Sequence, residues 1–92
     1  MEKALILGKL SYRVPRNIIE QFKKIEGVMD ADMIFGPHDF YIVINTESKE
    51  MLRDISLKIR SLDGILDTST SYVTTFHDIR PEARRSLGIL AE

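Results

Sequence analysis

The residues of this sequence that could do chemistry are few and lie in short runs. Two histidines each precede an aspartate, in His38-Asp39 and His77-Asp78, and a run of hydroxyl side chains occupies positions 68–70. Neighbouring side chains on an extended segment point to opposite faces, so a His-Asp dipeptide there does not chelate one metal ion. There is no cysteine, which excludes thiolate metal sites and cysteine nucleophiles. We therefore predict no metal, no cofactor and no catalytic residue.

The size and charge of the chain argue against several classes of partner. Its 92 residues make one domain. A chain of this size buries only about two thirds of the surface that it exposes when unfolded, so a partner chain would add to a thin core. The net charge is −1 and the pI about 6.1, which gives no field for holding nucleic acid. No apolar run approaches the roughly 20 residues that span a bilayer, and no signal peptide is present, so a cytoplasmic location is expected.

Apolar spacing predicts two amphipathic helices. The first follows Pro15 and ends before Gly27, and the second follows Ser48, a predicted N-cap, and ends before Gly64. Glycine suits the residue beyond a helix because it adopts positive φ without strain. The two apolar stripes consist of Ile18, Ile19, Phe22 and Ile25, and of Leu52, Ile55, Ile59 and Leu62.

Four apolar or β-branched runs surround these helices and predict strands, at residues 4–7, 28–35, 40–44 and 65–76. The turn at 36–39 makes the second and third runs a hairpin. The two halves also resemble each other at an offset of 37 positions, as in residues 25–30 and 62–67. A repeated β-α-β unit predicts a ferredoxin-like α+β sandwich over residues 1–76, with a four-stranded antiparallel sheet and both helices on one face. The methionines at 29, 33 and 51 are expected to fill its core.

The strands of this sandwich are apolar on both sides, although the helices cover only one. Strand side chains alternate between faces, so one apolar set faces away from the helices and requires a cover. A second copy packed sheet to sheet would provide it, which predicts a homodimer. The residues assigned to this interface are Ile6, Tyr41, Val43 and Tyr72.

Residues 77–92 follow a different pattern and form a separate tail. Their apolar residues fall at helical spacing, which predicts a short helix docked on the body of the domain. A partner-binding arm is the alternative. Three arginines in the tail are offset by acidic residues and are interpreted as a solvated face.

Four short segments occur in order along the chain: Ile25-Glu26-Gly27-Val28, Gly36-Pro37-His38-Asp39-Phe40, Gly64-Ile65 and Asp67-Thr68-Ser69-Thr70. Together they resemble the effector-binding domain of Lrp/AsnC transcription regulators, also called the RAM domain. The resemblance implies a sheet-to-sheet dimer, assembly into a dimer of dimers or an octameric ring, and an amino acid bound between dimers. Because the first strand begins by Ala4, the chain is expected to be a stand-alone RAM domain without the DNA-binding helix-turn-helix of the family. Such a module would associate with full-length Lrp/AsnC regulators.

The same resemblance places the effector pocket at the hairpin loop and at the start of the last strand. It nominates Gly36, His38, Asp39, Thr68, Ser69 and Thr70. A carboxylate is an acceptor for the ammonium of an amino acid, and hydroxyls are donors to its carboxylate. The structural alternative is that the loop is simply a tight turn and the hydroxyl run an ordinary strand.

Three function classes remain open from the sequence. The first is a regulatory module that binds a small molecule, most simply an amino acid, and assembles without binding DNA. The second is a small dimeric ferredoxin-like enzyme whose open sheet face forms a cavity, but no catalytic residue is apparent for it. The third is an assembly subunit that binds no ligand. We predict the first.

Overall fold

The computed structural model describes residues 1–73, which form four strands and two helices. In chain order these are β1 (Glu2–Leu10), α1 (Ile18–Lys23), β2 (Val28–Met33), β3 (Phe40–Thr46), α2 (Lys49–Arg60) and β4 (Ile65–Tyr72). The predicted β-α-β-β-α-β order is confirmed. The predicted tail helix and the boundary at residue 76 lie outside the described residues.

The strands form one antiparallel sheet in the order β2-β3-β1-β4, which is the ferredoxin-like arrangement predicted from the repeat. Strands β1 and β3 are central and pair along seven residues, from Glu2 opposite Thr46 to Gly8 opposite Phe40. Helix α1 contacts β2, whereas α2 contacts β4, β1 and β3. Both helices therefore lie on one face of the sheet and leave the other face, which we call the open face, uncovered.

The core lies between the helices and the sheet. The ring centroids of Phe22 on α1 and Phe40 on β3 are 4.9 Å apart. The two predicted helical stripes point inward, and every second residue of β1 and β3 meets them, as strand alternation requires. The buried apolar residues are Ala4, Ile6, Ile18, Phe22, Ile25, Ala31, Phe40, Ile42, Ile44, Leu52, Ile55 and Ile59.

Helix α1 is shorter than the apolar spacing predicts. Pro15 precedes it, and its carbonyl accepts a hydrogen bond from Ile18 N–H at 3.1 Å. At the other end Ile25 N–H donates to the Phe22 carbonyl, an i to i+3 bond that tightens the last turn. The chain then reverses at Gly27, where φ is +100°. Ile25 therefore reaches the core from a turn rather than from the helix.

Helix α2 follows the prediction closely. The Ser48 hydroxyl accepts a hydrogen bond from Met51 N–H at 3.2 Å, so Ser48 is the N-cap. The buried residues Leu52, Ile55 and Ile59 form its inner stripe. The chain turns after it at Gly64, where φ is +90°, in the same position relative to the helix as Gly27. The repeat seen in the sequence is thus a repeat of backbone geometry.

Two residues assigned to the dimer interface lie on the wrong side of the sheet. Ile6 is fully buried on the face that the helices cover, because it lies opposite Ile42. Tyr72 lies opposite Ala4, which places it on the same side, although its side chain is exposed at the end of β4. The assignment of Ile6 and Tyr72 to the open face is therefore wrong.

The expectation that three methionines fill the core is also wrong. Met29 is 66% exposed, Met33 51% and Met51 39%. Met29 lies at an irregularity of β2, where the pairing with β3 shifts register between Val28 and Asp30. Strand β2 is an edge strand, and Ala31 is its one buried residue.

Gly8 is required by a close approach in the centre of the sheet. A Cβ atom at this position would overlap the ring of Phe40 and lie 2.6 Å from the carbonyl oxygen of Asp67. The missing side chain therefore lets the Phe40 ring pack across β1 into the core.

Replacing Gly8 with alanine should destabilise the fold by about 1–3 kcal/mol, because the added methyl group overpacks the core. Elsewhere in a strand the same change would reduce unfolded-state entropy and stabilise slightly. Urea denaturation of Gly8→Ala, Phe40→Leu and the double variant checks the cause. If the ring is the obstacle, the double variant loses less than the sum of the single losses, and strict additivity would contradict this explanation.

Candidate functional site

The hairpin loop between β2 and β3 is fixed to the end of β1 by Asp39. The Asp39 carboxylate oxygen Oδ2 accepts a hydrogen bond from Leu10 N–H at 2.9 Å, and Asp39 N–H donates to the Gly8 carbonyl at 2.7 Å. The Asp39 carbonyl in turn accepts from Ile34 N–H at 2.9 Å, which closes the loop. A residue predicted to bind an effector therefore also holds its own loop on the sheet.

The end of β1 lies between the two parts of the predicted effector site. Gly8 is opposite Phe40, next to the loop, on one side and opposite Thr68 on the other. The loop and the start of β4 are thus at the same end of the sheet, about two strand spacings or ~10 Å apart. The structure brings the two segments to one end but keeps β1 between them.

The hydroxyl run at the start of β4 is divided between the two faces of the sheet. Thr68 and Thr70 lie opposite Gly8 and Ile6, so they face the helices and are half-buried. Ser69 lies opposite Leu7 on the open face and is exposed. One ligand on one face cannot contact all three side chains, and the threonines and the serine belong to different surfaces.

The tip of the loop projects away from the domain. At Gly36 φ is +152°, and apart from its two chain neighbours no residue comes within 4 Å of the position that a Cβ would take. The side chain of Phe35 beside it is fully exposed, whereas His38 is half-buried. The sequence gives no sign that Phe35 is exposed, because an aromatic residue next to a strand is normally expected in the core.

The open face carries two parallel rows of side chains that repeat one chemical order. From β2 across to β4, each row reads carboxylate, two apolar or aromatic side chains, hydroxyl. The first row is Asp30, Val43, Leu5 and Ser71, and the second is Asp32, Tyr41, Leu7 and Ser69. Tyr41 and Val43 were predicted to lie here, and the structure adds Leu5 and Leu7 between them and β4.

Leu5, Leu7 and the two edges of the rows were not assigned to the interface from the sequence. Strand alternation shows that Leu5 and Leu7 share a face, but it does not show which face the helices cover. The pairing register of the folded sheet shows that Leu5 and Leu7 lie on the open face, since it sets Leu5 opposite Val43 and Leu7 opposite Tyr41. No local signal in the sequence marks which face of β1 the helices cover.

The phenol of Tyr41 is tied to the acidic edge of the open face. Its hydroxyl donates to the Asp30 carboxylate at 2.7 Å. This hydrogen bond, together with partial burial and the negative charges of Asp30 and Asp32, raises the pKa of Tyr41 above its usual value. The edge of the face therefore holds one phenol–carboxylate hydrogen bond, between Tyr41 and Asp30, with the negative charge of Asp32 nearby.

Residues 1–73 hold neither a cluster of metal-ligating side chains nor a membrane-spanning helix. No group of three or more histidine, aspartate or glutamate side chains in this part of the chain is arranged to hold a metal ion. Neither described helix is long and apolar enough to cross a bilayer. The two features that remain are the loop end and the open face.

The family of the chain follows from comparison with known proteins. The family model described as the Lrp/AsnC ligand binding domain matches residues 4–81. This match covers most of the chain, so the protein belongs to that family, and the resemblance found in the sequence is confirmed. It is a ligand-binding domain of the kind found in transcription regulators. No curated protein matches the chain significantly.

Solved structures of similar proteins share the fold. The crystal structure of FFRP-DM1 is 27% identical, with a TM-score of 0.73, and the match covers 80% of this chain and 100% of that one. The hypothetical protein PHS023 from Pyrococcus horikoshii is 26% identical, with a TM-score of 0.71 and coverages of 87% and 99%. The transcriptional regulator NMB0573 from Neisseria meningitidis, in complex with L-Met, is 16% identical, with a TM-score of 0.67 and coverages of 87% and 54%.

Replacing Asp39 with alanine should destabilise the domain by about 1–3 kcal/mol, because Leu10 N–H loses a charged acceptor in a half-buried position. Asp39→Asn keeps an acceptor oxygen of the same reach and should cost less than half as much. Urea denaturation of both variants measures the two losses. Equal losses would show that a neutral amide oxygen does not replace the carboxylate, and no loss in either variant would exclude a contribution of the hydrogen bond to Leu10 to stability.

Replacing Asp30 with asparagine should lower the pKa of Tyr41 towards the ordinary value of about 10, because the phenol loses its charged acceptor. The raised pKa means that the folded state favours the neutral phenol. This contribution to stability is present below about pH 10 and is lost as the pH rises through the raised pKa. An NMR titration that follows Cζ of Tyr41 measures the change, and an unchanged midpoint in Asp30→Asn would exclude Asp30 as the main cause.

Proposed function

We propose that this domain binds an amino acid at the end of the sheet where the hairpin loop meets β1, and that it regulates as a homodimer built through the open face. Membership of the Lrp/AsnC ligand-binding family supports the first part. The apolar centre of the open face supports the second, since contiguous exposed apolar surface marks an interaction site.

The observation that carries the ligand site is the placement of Asp39. Leu10 N–H occupies one oxygen of its carboxylate, Oδ2. We assign the other oxygen, Oδ1, to the ammonium group of the ligand, since a carboxylate accepts several hydrogen bonds. A charge held in place by backbone is preorganised and loses little entropy when it binds.

The remaining groups of the proposed site come from the same end of the sheet. Gly36 leaves open space at the loop tip, where a ligand can approach backbone N–H groups closely. Half-buried His38 adds a polar ring next to Asp39. Thr68 and Thr70 face the helices, and Ser69 faces the open side, so Ser69 belongs to the proposed dimer interface rather than to the pocket.

The amino-acid class is supported by the complex of the Neisseria regulator NMB0573 with L-Met. The exposed Phe35 at the loop tip gives a second dimer an apolar contact at the same end, which supports assembly of dimers into a dimer of dimers or an octameric ring. The open face would also accept the matching face of a full-length Lrp/AsnC regulator. In this way the domain would join regulators of its own family without contacting DNA.

One observation favours a second function, that of an assembly subunit that binds no effector. Because the Asp39 carboxylate already binds Leu10 N–H, the loop is satisfied without a ligand. This is what an assembly subunit that binds no effector requires.

Thermal denaturation with each of the twenty amino acids in turn separates the two functions. One or a few of them should raise the melting temperature in a concentration-dependent way, because a ligand that binds only the native state stabilises it. Asp39→Asn should abolish the response while leaving the unliganded protein folded. Asp54→Asn on the exposed side of α2 is the matched control and should respond like the parent. No response to any amino acid would favour the assembly subunit.

A further inference from the structure

The chain forms a tight turn directly after β1, over residues 11–14, which we call the β1 turn. Val14 N–H donates to the Ser11 carbonyl at 3.0 Å, the i to i+3 bond of a β-turn. Arg13 N–H donates to the Ser11 hydroxyl at 3.0 Å. The two central residues, Tyr12 and Arg13, are both exposed. Ser11 therefore fixes the backbone that carries an exposed arginine.

The β1 turn is also held from outside, on two sides. Leu10, the residue before it, donates its N–H to the Asp39 carboxylate of the hairpin loop at 2.9 Å. Ser11 N–H donates to the carbonyl of Gly64, the residue before β4, at 2.8 Å. A Cβ at Gly64 would lie 2.6 Å from the Cα of Val14, so the turn packs closely on this residue. The β1 turn thus connects the hairpin loop to the start of β4, the two segments from which the ligand site was predicted.

The β1 turn lies on the side of the sheet that the helices cover. Leu10 and Val14, at its two ends, both pack against the core between the helices and the sheet. Thr68 faces the same side, because it lies opposite Gly8. The β1 turn, the Asp39 carboxylate and the Thr68 hydroxyl therefore border the same end of the domain.

The charges at this end include one that the proposed site does not yet use. Asp39 is assigned to the ammonium group of the amino acid, but the carboxylate of the amino acid has no cationic partner. Arg13 follows Leu10 by three residues, so their Cα atoms are at most about 11 Å apart. A long arginine side chain and an amino acid together can bridge this distance. Lys9 is nearer in the sequence, but it lies opposite Asp67 on the open face.

The guanidinium group of Arg13 is placed so that a carboxylate can compete for it. Its Cζ lies 5.6 Å from the centroid of the Tyr12 ring, within the range of a cation–π contact. Such a contact is weak at an exposed site, and it requires no hydrogen bond from the guanidinium. A carboxylate accepts two parallel hydrogen bonds from the same group, which is a stronger and more specific interaction.

We infer that Arg13 binds the carboxylate of the amino acid whose ammonium group binds Asp39, so that the β1 turn is a third element of the ligand site. This inference rests on the amino-acid site of the proposed function. Asp39 and Arg13 are both held on backbone next to Leu10, one through its carboxylate and the other through the turn. Two opposite charges fixed in this way select a ligand that carries both a free ammonium group and a free carboxylate.

Replacing Arg13 with glutamine tests its role in binding. The probes are the twenty amino acids of the thermal screen, and isothermal titration calorimetry measures the dissociation constant of each one to which the parent responds. Arg13→Gln should weaken binding about 10- to 100-fold, because a hydrogen-bonded charge pair is lost. Arg16→Gln removes an exposed arginine from the same connection and should bind within about threefold of the parent. Parent-like binding by Arg13→Gln, or an equal loss in Arg16→Gln, would overturn the inference.

Amino-acid amides test which end of the ligand Arg13 contacts. The amide of the amino acid that the parent binds most tightly keeps the ammonium group and replaces the carboxylate with a neutral group. The parent should bind this amide about 10- to 100-fold more weakly than the free acid, whereas Arg13→Gln should bind the two within about threefold of each other. If Arg13→Gln keeps the preference of the parent for the free acid, Arg13 does not bind the carboxylate.

Failure of this inference can be told from failure of the proposed function. If the parent binds no amino acid, the proposed site is wrong and the role of Arg13 falls with it. If the parent binds an amino acid and Asp39→Asn does not, but Arg13→Gln binds like the parent, the site stands and only the role of Arg13 is wrong. Urea denaturation should give Arg13→Gln the stability of the parent, because the side chain is exposed. A loss of ligand binding explained by unfolding of this variant would contradict the inference.

Discussion

The two helices cover one side of a sheet whose central strands are apolar on both sides. Every second residue of β1 and β3 is buried by the helices, and the alternate residues Leu5, Leu7, Tyr41 and Val43 remain on the other side. A domain of this size has no further element among its described residues to place over them. This uncovered side is the basis of the proposed association of the domain with a second copy.

The loop end and the open face are linked through the last residues of β1. Gly8 lets the Phe40 ring cross the strand, and its carbonyl accepts a hydrogen bond from the loop at Asp39. The next residues of the strand reach Leu10, which donates to the Asp39 carboxylate. Leu7, the residue directly before Gly8, lies on the open face opposite Tyr41. A ligand that changes the position of Asp39 would therefore act on backbone directly continuous with the proposed dimer interface.

Sequence patterns predicted the fold because each element carries a local signal. The stripe of α2, the Ser48 cap and the glycines at 27 and 64 all agree with one another, and the offset of 37 positions repeats them. The patterns failed where the outcome depends on long-range register. Alternation cannot show whether Ile6 or Leu5 faces the helices, and nothing local shows that β2 is an edge strand with exposed methionines. Asp39 was correctly seen as a turn residue, but its bond to Leu10 joins residues 29 positions apart.

The register shift near Met29 makes the β2 edge of the sheet a poor site for pairing with a further strand. An edge strand offers unpaired backbone groups to any extended chain, and regular, flat edges invite open-ended growth of the sheet. Strand β2 interrupts this at the irregularity between Val28 and Asp30, and it carries two exposed aspartates beyond it. Lateral addition of strands is thereby discouraged on this side. The proposed dimer through the open face, by contrast, is complete after one partner and leads to no fibril.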